Sequence, residues 1–391
     1  MIDADVVARR ITPPEGHHFF GYYEKFPWNA SGTKMLCLET DFIDRSPEPG
    51  EVARVLVLDV EGGYAPRQVA VTDAWNWQMG CMLQWLPSEP EHTVFYNDRE
   101  GDRFVGRILN LQTGDTRTID RPIYAVSRDG SHGLSVSFSR IHEMRKGYGY
   151  PGIPDVNNHV PVPDDDGIYL VDLETGDSRL VVSYAQAMAV DTERNMENEK
   201  QWFNHLFWAP DDRRIAWLHR RGSVDAGQVI TRMMTAAPDG SDIACIGSSP
   251  MISHYDWQHP HEVLAWCTPR WRGIGQPDYW MVNDPTGDVR NLGKGMFPGD
   301  GHCSWSPDGE WILTDTYPDR EDHKRTLMIW HVATDTVYRL GRFYAPPELK
   351  LDYRCDLHPR WSRDGKHVVF DSAHETSRGM YLVDVSELVS G

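Results

Sequence analysis

The sequence lacks any long hydrophobic run, since no stretch approaches the roughly 20 apolar residues that a membrane-spanning helix needs. The first residues, MIDADVVARRITPPEG, also lack the positively charged start and the apolar core of a secretory signal peptide. These two absences predict a protein that neither crosses a membrane nor is exported.

Cysteine is scarce and scattered, with six residues in a chain of 391 and no Cys-x-x-Cys pair. Disulfide frameworks are typical of small exported domains that cannot build a sufficient core. Here 40% hydrophobic residues, 15 tryptophans and 16 tyrosines supply apolar area for a large core. We therefore expect reduced thiols and a cytoplasmic location.

Positive charge is also in short supply: 39 Lys and Arg face 58 Asp and Glu, for a net charge of −19. Affinity for nucleic-acid phosphates depends on a surplus of Lys and Arg, so we expect no nucleic-acid partner. A small anionic ligand is still compatible with the sequence if basic side chains gather in one pocket. The absence of a GxSxG nucleophile motif argues against a serine peptidase.

A repeated unit dominates the chain, in which an aromatic residue leads into a turn, commonly Asp-Gly, and then into a strand. Seven copies occupy residues 28–39, 85–98, 124–138, 208–221, 257–267, 305–315 and 361–371. The tryptophans of the last four copies follow one another at intervals of 49, 48 and 56 residues, the spacing of a propeller blade. The sequence thus predicts an all-β, seven-bladed β-propeller with four-stranded antiparallel blades around a central channel.

We expect one propeller domain over residues 1–391, because no segment between the repeats resembles a domain boundary. Segments such as 53–63 and 327–337 alternate apolar and polar residues, as outer blade strands do. The stretch 142–166 is rich in Pro, Gly and Asp and predicts a loop excursion over one face. Residues 184–202 predict a short helix.

A histidine stands three residues before the tryptophan in four successive repeats. These residues are His205, His254, His302 and His358. The innermost strands of a propeller begin near the channel, so matching positions in successive blades are expected to be neighbours at its mouth. Cys355 adds a thiol three residues before the last of them, and neutral imidazole and thiolate are ligands that zinc prefers.

Three adjacent blades supply the metal site that we favour, formed by His254, His302, Cys355 and His358. Zinc is the expected ion, with manganese and calcium as alternatives. His205 stands at the edge of the group beside Asn204, and both are expected to contact substrate. The competing interpretation is that blade repetition has copied a histidine with a merely structural role.

A second cluster is predicted in the N-terminal blades. If residues 124–126 and 134–140 form adjacent antiparallel strands, Tyr124 and Arg140 lie near the same end, an arrangement that suits an acidic sugar. The other residues expected to face this opening are Gln78, Asn97 and Arg99. The alternatives are a core aromatic role for Tyr124 and an ion pair between blades for Arg140.

Several segments resemble those of seven-bladed propeller polysaccharide lyases: HHFFGYYEKFPW (17–28), YNDR (96–99), SFSRIHEMRKGYGY (137–150), GHCSWSPDG (301–309) and CDLHPRWSRDG (355–365). The chain is similar to the ulvan lyases and the rhamnose–glucuronate lyases, and more distantly to cytoplasmic oligogalacturonate lyases. The resemblance covers nearly the whole chain.

The resemblance implies β-elimination at a uronic acid of an acidic oligosaccharide. Such a reaction needs neutralisation of the carboxylate, a base for the C5 proton and an acid for the leaving oxygen. It implies that Tyr124 is both base and acid, that Arg140 neutralises the carboxylate, and that the metal is structural and resembles the zinc of the ulvan lyases.

One departure concerns the segment WNWQMG (75–80), where ulvan-type enzymes carry histidines and this chain has Gln78 and Met79. A glutamine amide neither carries positive charge nor transfers a proton, so the substrate or the reaction is expected to differ. His142, two residues after Arg140, is a candidate substitute. Two other functions stay open: a non-catalytic propeller that binds a glycan or a protein, and a metal-dependent hydrolase or isomerase that uses the histidine cluster.

Overall fold

The structure, a computed structural model, describes residues 1–191, 196–224 and 226–390. Strands dominate it. The first fourteen are β1 (Ile2–Asp3), β2 (Arg9–Arg10), β3 (His17–Phe19), β4 (Lys34–Thr40), β5 (Ala53–Asp59), β6 (Ala65–Thr72), β7 (Gln84–Trp85), β8 (Thr93–Glu100), β9 (Arg103–Asn110), β10 (Thr116–Ile119), β11 (Ala125–Val126), β12 (His132–Ser135), β13 (Gly167–Asp172) and β14 (Ser178–Ser183).

The remaining strands are β15 (Gln201–Trp208), β16 (Ile215–Ser223), β17 (Gln228–Ala236), β18 (Ala244–Ser249), β19 (Ile252–His259), β20 (Glu262–Cys267), β21 (Asp278–Asn283), β22 (Val289–Asn291), β23 (Ser304–Trp305), β24 (Trp311–Asp315), β25 (Lys324–His331), β26 (Thr336–Tyr344), β27 (Arg360–Trp361), β28 (His367–Ser372) and β29 (Gly379–Asp384). The helices are α1 (Phe138–Met144), α2 (Tyr184–Ala189) and α3 (Ser386–Val389). Short 3-10 turns cover Met196–Asn198, Arg270–Arg272, Val332–Thr334 and Leu351–Tyr353.

The strands form seven sheets in the described part of the chain, and the sheet order is that of a seven-bladed β-propeller, as the repeats predict. Consecutive sheets contain β3–β6, β7–β10, β11–β14, β15–β18, β19–β22, β23–β26 and β27–β29. The N-terminal strands complete the last two sheets: β1 pairs in parallel with β26, and β2 pairs antiparallel with β29. The last sheet therefore reaches four strands only by combining both ends of the chain.

The repeated turn has the same hydrogen bonds in separate blades. Ser362 Oγ donates to the Asp364 carboxylate and accepts from the His367 amide at 2.9 Å, and Ser306 bonds Asp308 and the Trp311 amide in the same way. Gly309 and Gly365 follow with φ angles of 74° and 71°, a left-handed conformation that glycine adopts without a steric penalty. The Ser-x-Asp-Gly sequence thus fixes each tight turn between the first two strands.

The chain forms two compact units: one holds Met1–Arg99, Arg107–Arg117 and the chain from Gly299 onward, and the other holds Glu100–Gly106 and Thr118–Pro298. The core of the first unit includes Trp75 and Trp77, whose rings meet edge to face with centroids 5.2 Å apart. In the second unit, Tyr184 stacks on Phe203 at 4.1 Å. The prediction of a single domain over residues 1–391 stays a prediction.

The predicted strand over residues 134–140 is wrong. β12 ends at Ser135, and the chain then enters α1, because Ser137 caps the helix by accepting a hydrogen bond from the Arg140 amide at 3.1 Å. The predicted short helix within 184–202 is present as α2, although residues 192–195 lie outside the described part. Of the predicted loop excursion 142–166, residues 142–144 belong to α1 and residues 145–166 contain no strand or helix; an excursion over one face stays a prediction.

The six cysteines are free thiols. None of the helices in the described ranges is long and apolar enough to cross a membrane.

Candidate functional site

Three buried side chains of the first unit meet as a potential metal-binding group, namely His302, Asp356 and His358. One ligand atom from each lies within 4.8 Å of the others. His302 precedes β23, and the other two precede β27, so each residue enters from the segment before the first strand of its sheet. The histidine register thus brings His302 and His358 together, as predicted.

The ring of His302 is held by a carboxylate. Asp315, the last residue of β24, accepts from the His302 backbone N–H at 2.7 Å and lies 2.9 Å from ring Nδ1. A carboxylate that accepts a hydrogen bond from Nδ1–H favours the tautomer with its lone pair on Nε2, the usual arrangement for metal-binding histidines. Asp315 therefore orients His302 as a ligand.

His358 is fully buried, and neither of its ring nitrogens has a hydrogen-bond partner among the described residues. Burial, followed by the charge of His302, lowers its pKa well below the ordinary value, so the imidazole is neutral and retains a lone pair. The two rings meet edge to face with centroids 4.3 Å apart. His358 also has a φ of 41°, a conformation that non-glycine residues seldom adopt outside functional or strained sites.

Asp356 supplies the negative charge of the group. Its carboxylate forms ion pairs with Arg325 at 2.7 Å and with Arg354 at 2.8 Å. Burial raises the pKa of Asp356, but the two guanidinium groups outweigh it and hold the pKa well below its usual range. The group therefore combines an ionised oxygen ligand with a neutral imidazole.

Two consecutive tyrosines pack against the histidines of the group. The ring of Tyr22 lies 5.2 Å from that of His358, and the ring of Tyr23 lies 5.5 Å from that of His302. Both tyrosines are buried. Aromatic walls keep water away from the ligand atoms, which strengthens electrostatic interactions inside the site.

The donor set fits a divalent metal ion. Buried imidazole and carboxylate atoms without enough hydrogen bonds are costly unless a ligand satisfies them, and nitrogen with oxygen suits several divalent ions, manganese and zinc among them. Cys355 adjoins the group without belonging to it, and burial raises the pKa of its thiol to about 11. Without a thiolate in the set, zinc has no special preference.

His254, the remaining predicted ligand, lies in the second unit. Its ring is 5.9 Å from that of His205, and its Nδ1 is 3.1 Å from Ser253 Oγ. Beside them, Asn204 is fully buried, and neither atom of its amide has a hydrogen-bond partner in the described ranges. His205 has a φ of 52° at a bulge of β15, which turns this part of the strand out of the regular ladder.

The Tyr124 hydroxyl is buried in the second unit and accepts a hydrogen bond from the His205 backbone N–H at 2.8 Å. The Tyr255 hydroxyl donates to the carbonyl of the same residue. The backbone at His205 is therefore held between two tyrosines.

Arg140 is an internal structural residue rather than a free cation at an opening. It is fully buried, and all its N–H groups are engaged: the bonds run to the carboxylate of Asp155 and the carbonyls of Gln201, Asn157, Val160 and Pro161. The predicted convergence with Tyr124 depended on a strand over 134–140, whereas Arg140 lies on α1 and anchors the 155–161 loop. A substrate carboxylate would have to displace bonds already made.

The predicted substrate-binding residues have different surroundings. Gln78 is buried, and its Nε2 donates to the carbonyls of Asp352 and Arg354, both at 3.1 Å. Asn97 is buried on β8, Arg99 is half-buried near the end of that strand, and His142 is half-buried on α1. Gln78 thus holds the segment that leads into Asp356 and His358.

Sequence reasoning missed both acids of this site. Asp356 lies between two residues that were singled out, within the stretch CDLH. Asp315 closes the repeat WSPDGEWILTD, and Asp371 closes the next repeat at the same position, where it pairs with Arg360 at 3.1 Å. An aspartate at the last position of both repeats was the sequence signal that could have identified Asp315.

No protein-family model matches the chain, and no curated protein matches it. Solved structures do. An oligogalacturonate lyase in complex with manganese is 16% identical over 100% of this chain and 96% of its own, with a TM-score of 0.69. An oligogalacturonate lyase from Vibrio parahaemolyticus is 16% identical over 99% and 96%, with a TM-score of 0.67. The β-propeller domain of the Trilobed protease from Pyrococcus furiosus is 11% identical over 90% and 89%, with a TM-score of 0.52.

These similarities agree with the more distant of the resemblances found in the sequence, that to the oligogalacturonate lyases, and they give no support to the ulvan lyases or the rhamnose–glucuronate lyases. At such low identity they establish the architecture. The chain has the seven-bladed β-propeller fold that it shares with these structures.

Proposed function

We propose that the protein is a divalent-metal-dependent lyase that cleaves uronate-containing oligosaccharides by β-elimination. The observation that carries the proposal is His358, a buried neutral imidazole with neither nitrogen hydrogen-bonded within the described residues, placed beside His302 and Asp356. The fold similarity to an oligogalacturonate lyase described with manganese supports both the metal and an acidic oligosaccharide as substrate.

The chemical difficulty of the reaction is the weak acidity of the C5 proton next to a carboxylate. Negative charge that develops there must be met by fixed positive charge, and a base must accept the proton. A divalent ion held by His302, Asp356 and His358 would supply that positive charge.

The residues around this group keep it ready to bind. Asp315 fixes the His302 ring through its Nδ1 side, and the ion pairs to Arg325 and Arg354 keep Asp356 ionised. The buried rings of Tyr22 and Tyr23 lie beside the imidazoles. The positions of the ligands are therefore set before any ion binds.

Proton transfer by Tyr124 stays a prediction. Its oxygen accepts a hydrogen bond from the His205 amide at 2.8 Å. Arg140 is a poor candidate for neutralising the substrate, because its donors are already used.

A direct test incubates the purified protein with oligogalacturonate and manganese and follows the far-ultraviolet absorbance of the C4–C5 double bond formed by elimination. We expect absorbance to rise, the rise to require the ion, and His358→Ala to abolish both manganese binding and turnover. His367→Ala, which changes a half-buried histidine of β28 outside the group, is the matched control and should retain both.

The same group of residues would also serve a metal-dependent hydrolase or isomerase. Hydrolysis yields new reducing ends without ultraviolet absorbance, so measuring both in one reaction separates the two functions. New reducing ends that appear without absorbance would replace the lyase by a hydrolase. Absence of any turnover with intact metal binding would favour a binding propeller.

A further inference from the structure

Arg378 is a fully buried guanidinium, and no acidic residue in the described part of the chain pairs with it. It precedes β29, and Nη2 donates to the Trp77 carbonyl at 3.1 Å. Its Nε and Nη1 have no hydrogen-bond partner among the described residues, and no carboxylate in those ranges lies within ion-pair distance. The guanidinium carbon lies 4.9 Å from the ring centres of both Phe19 and Trp77.

Two other buried arginines of this protein pair with a carboxylate, whereas the equally buried Arg232 donates to the carbonyls of Ala187 and Val190. Arg360, on β27 of the same sheet, pairs with Asp371 at 3.1 Å, and Arg140 pairs with Asp155 at 2.9 Å. A buried charge without a counter-ion is strongly unfavourable, and contact with aromatic faces offsets only part of that cost. An anion that accepts hydrogen bonds from the N–H groups of Arg378 without a partner in the described residues would neutralise this buried charge.

A second unpaired polar atom belongs to the same segment. Gln78 follows the residue whose carbonyl Arg378 contacts, and it is fully buried. Its Oε1 accepts no hydrogen bond within the described ranges. Donors on Arg378 and an acceptor on Gln78 match a sugar acid, because its carboxylate accepts hydrogen bonds and its hydroxyl groups donate them.

His17 lies beside the backbone of Arg378. Burial and then Arg378 lower the pKa of His17, whose ring is half-buried and whose Nδ1 accepts from the Arg378 amide at 3.4 Å.

We infer that Arg378 is the receptor for a carboxylate, that of the uronate residue bound by this protein, with Gln78 accepting from a sugar hydroxyl. The assignment to the substrate rests on the proposed function, whereas the anion site itself rests on the buried guanidinium. Because Nε and Nη1 are buried from solvent, the side chains that surround them must move when the anion enters.

The test measures binding of galacturonate and of its methyl ester by calorimetry, because neither monosaccharide can be cleaved. Wild-type protein is expected to bind the acid about tenfold or more tightly than the ester, the difference that one hydrogen bond to a charged group makes. Arg378→Met should bring the ratio of the affinities for acid and ester close to one, and Arg378→Lys should retain part of the preference for the acid. Arg363→Met is the matched control, since Arg363 likewise lies against an aromatic ring and donates to backbone carbonyls.

Equal binding of acid and ester by the wild type would overturn the inference, and so would an unchanged ratio in Arg378→Met. If Arg378→Met does not fold, the wild-type and Arg378→Lys ratios decide alone. Binding of acetate without galacturonate would assign the site to a free carboxylate and overturn the substrate assignment.

The same ratios separate this inference from the proposed function. Loss of the ratio in Arg378→Met together with no lyase activity would retain the anion site and remove the lyase. Lyase activity together with an acid-to-ester affinity ratio that is unchanged in Arg378→Met would retain the lyase and remove the anion site.

Discussion

Asp315 accepts the backbone N–H of His302 at 2.7 Å and lies 2.9 Å from the Nδ1 of the same residue. One carboxylate therefore fixes both the main chain and the ring of a histidine in the metal-binding group. The pairing links the end of β24 to the segment before β23 in the same sheet.

Asp315→Asn should weaken metal binding without unfolding the protein. An amide in this position can present its NH₂ to Nδ1 and favour the wrong tautomer, and loss of such partners typically costs about 10–100-fold in metal affinity. Calorimetric titration with manganese measures the change, and Asp364→Asn on the turn of the last blade is the control. Unchanged affinity in Asp315→Asn would show that His302 does not bind the ion through Nε2.

Gln78→Met should lower manganese affinity, because the variant loses the two hydrogen bonds to the carbonyls of Asp352 and Arg354 that hold the segment before Asp356. Each lost bond leaves a part-buried carbonyl without this donor. Gln84→Met, which also removes a buried bond to a carbonyl, is the matched control and should affect stability alone. The idea fails if both variants bind manganese equally well.

Arg140→Met should destabilise the second unit by roughly 3–5 kcal/mol, because among the described residues it leaves the buried Asp155 carboxylate with Lys200 as its ion-pair partner and the Asn157 amide as a donor. Urea denaturation measures the loss, and the double variant Arg140→Met/Asp155→Leu should recover part of it. A variant that is as stable as the wild type but turns over no substrate would restore the catalytic role predicted from the sequence.

His219 should make the protein less stable as the pH falls. Burial, with the charges of Arg232 and Arg221, lowers its pKa well below 6.5, so the folded state holds the neutral form while the unfolded state takes up a proton below about pH 6.5. Stability is therefore complete above that pH and declines below it, by up to about 1.4 kcal/mol per pH unit.

Comparison of urea midpoints for wild type and His219→Gln between pH 7.5 and about pH 5 tests this linkage. The variant should show the shallower decline over that range. Parallel declines would mean that the His219 ring is protonated in the folded state.

Propeller architecture was predictable because its signals are local. The Ser-x-Asp-Gly turn at Ser362 and the alternation of apolar residues act within one hairpin, and repetition at blade spacing then implies seven similar sheets. The histidine register was predictive for the same reason, since His302 and His358 hold matching places in consecutive repeats.

The candidate site was only partly predictable, because partners are chosen across distant segments. Nothing local distinguishes Arg140, whose donors all bond within the 155–201 region, from Arg378, whose Nε and Nη1 do not bond within the described part. Because Ser137 caps a helix, Phe138–Met144 form α1 instead of the predicted strand, and Arg140 lies on that helix.

Taken alone, the sequence determined the number of blades, the turns that join their strands and the line of histidines before the tryptophans, since each depends on neighbours a few residues away. Only the tertiary structure decided that Asp356 joins His302 and His358, that Asp315 orients His302, and that no acid among the described residues pairs with Arg378. Burial and charge pairing depend on which distant chain segments come within a few ångströms, and spacing along the chain does not contain that information.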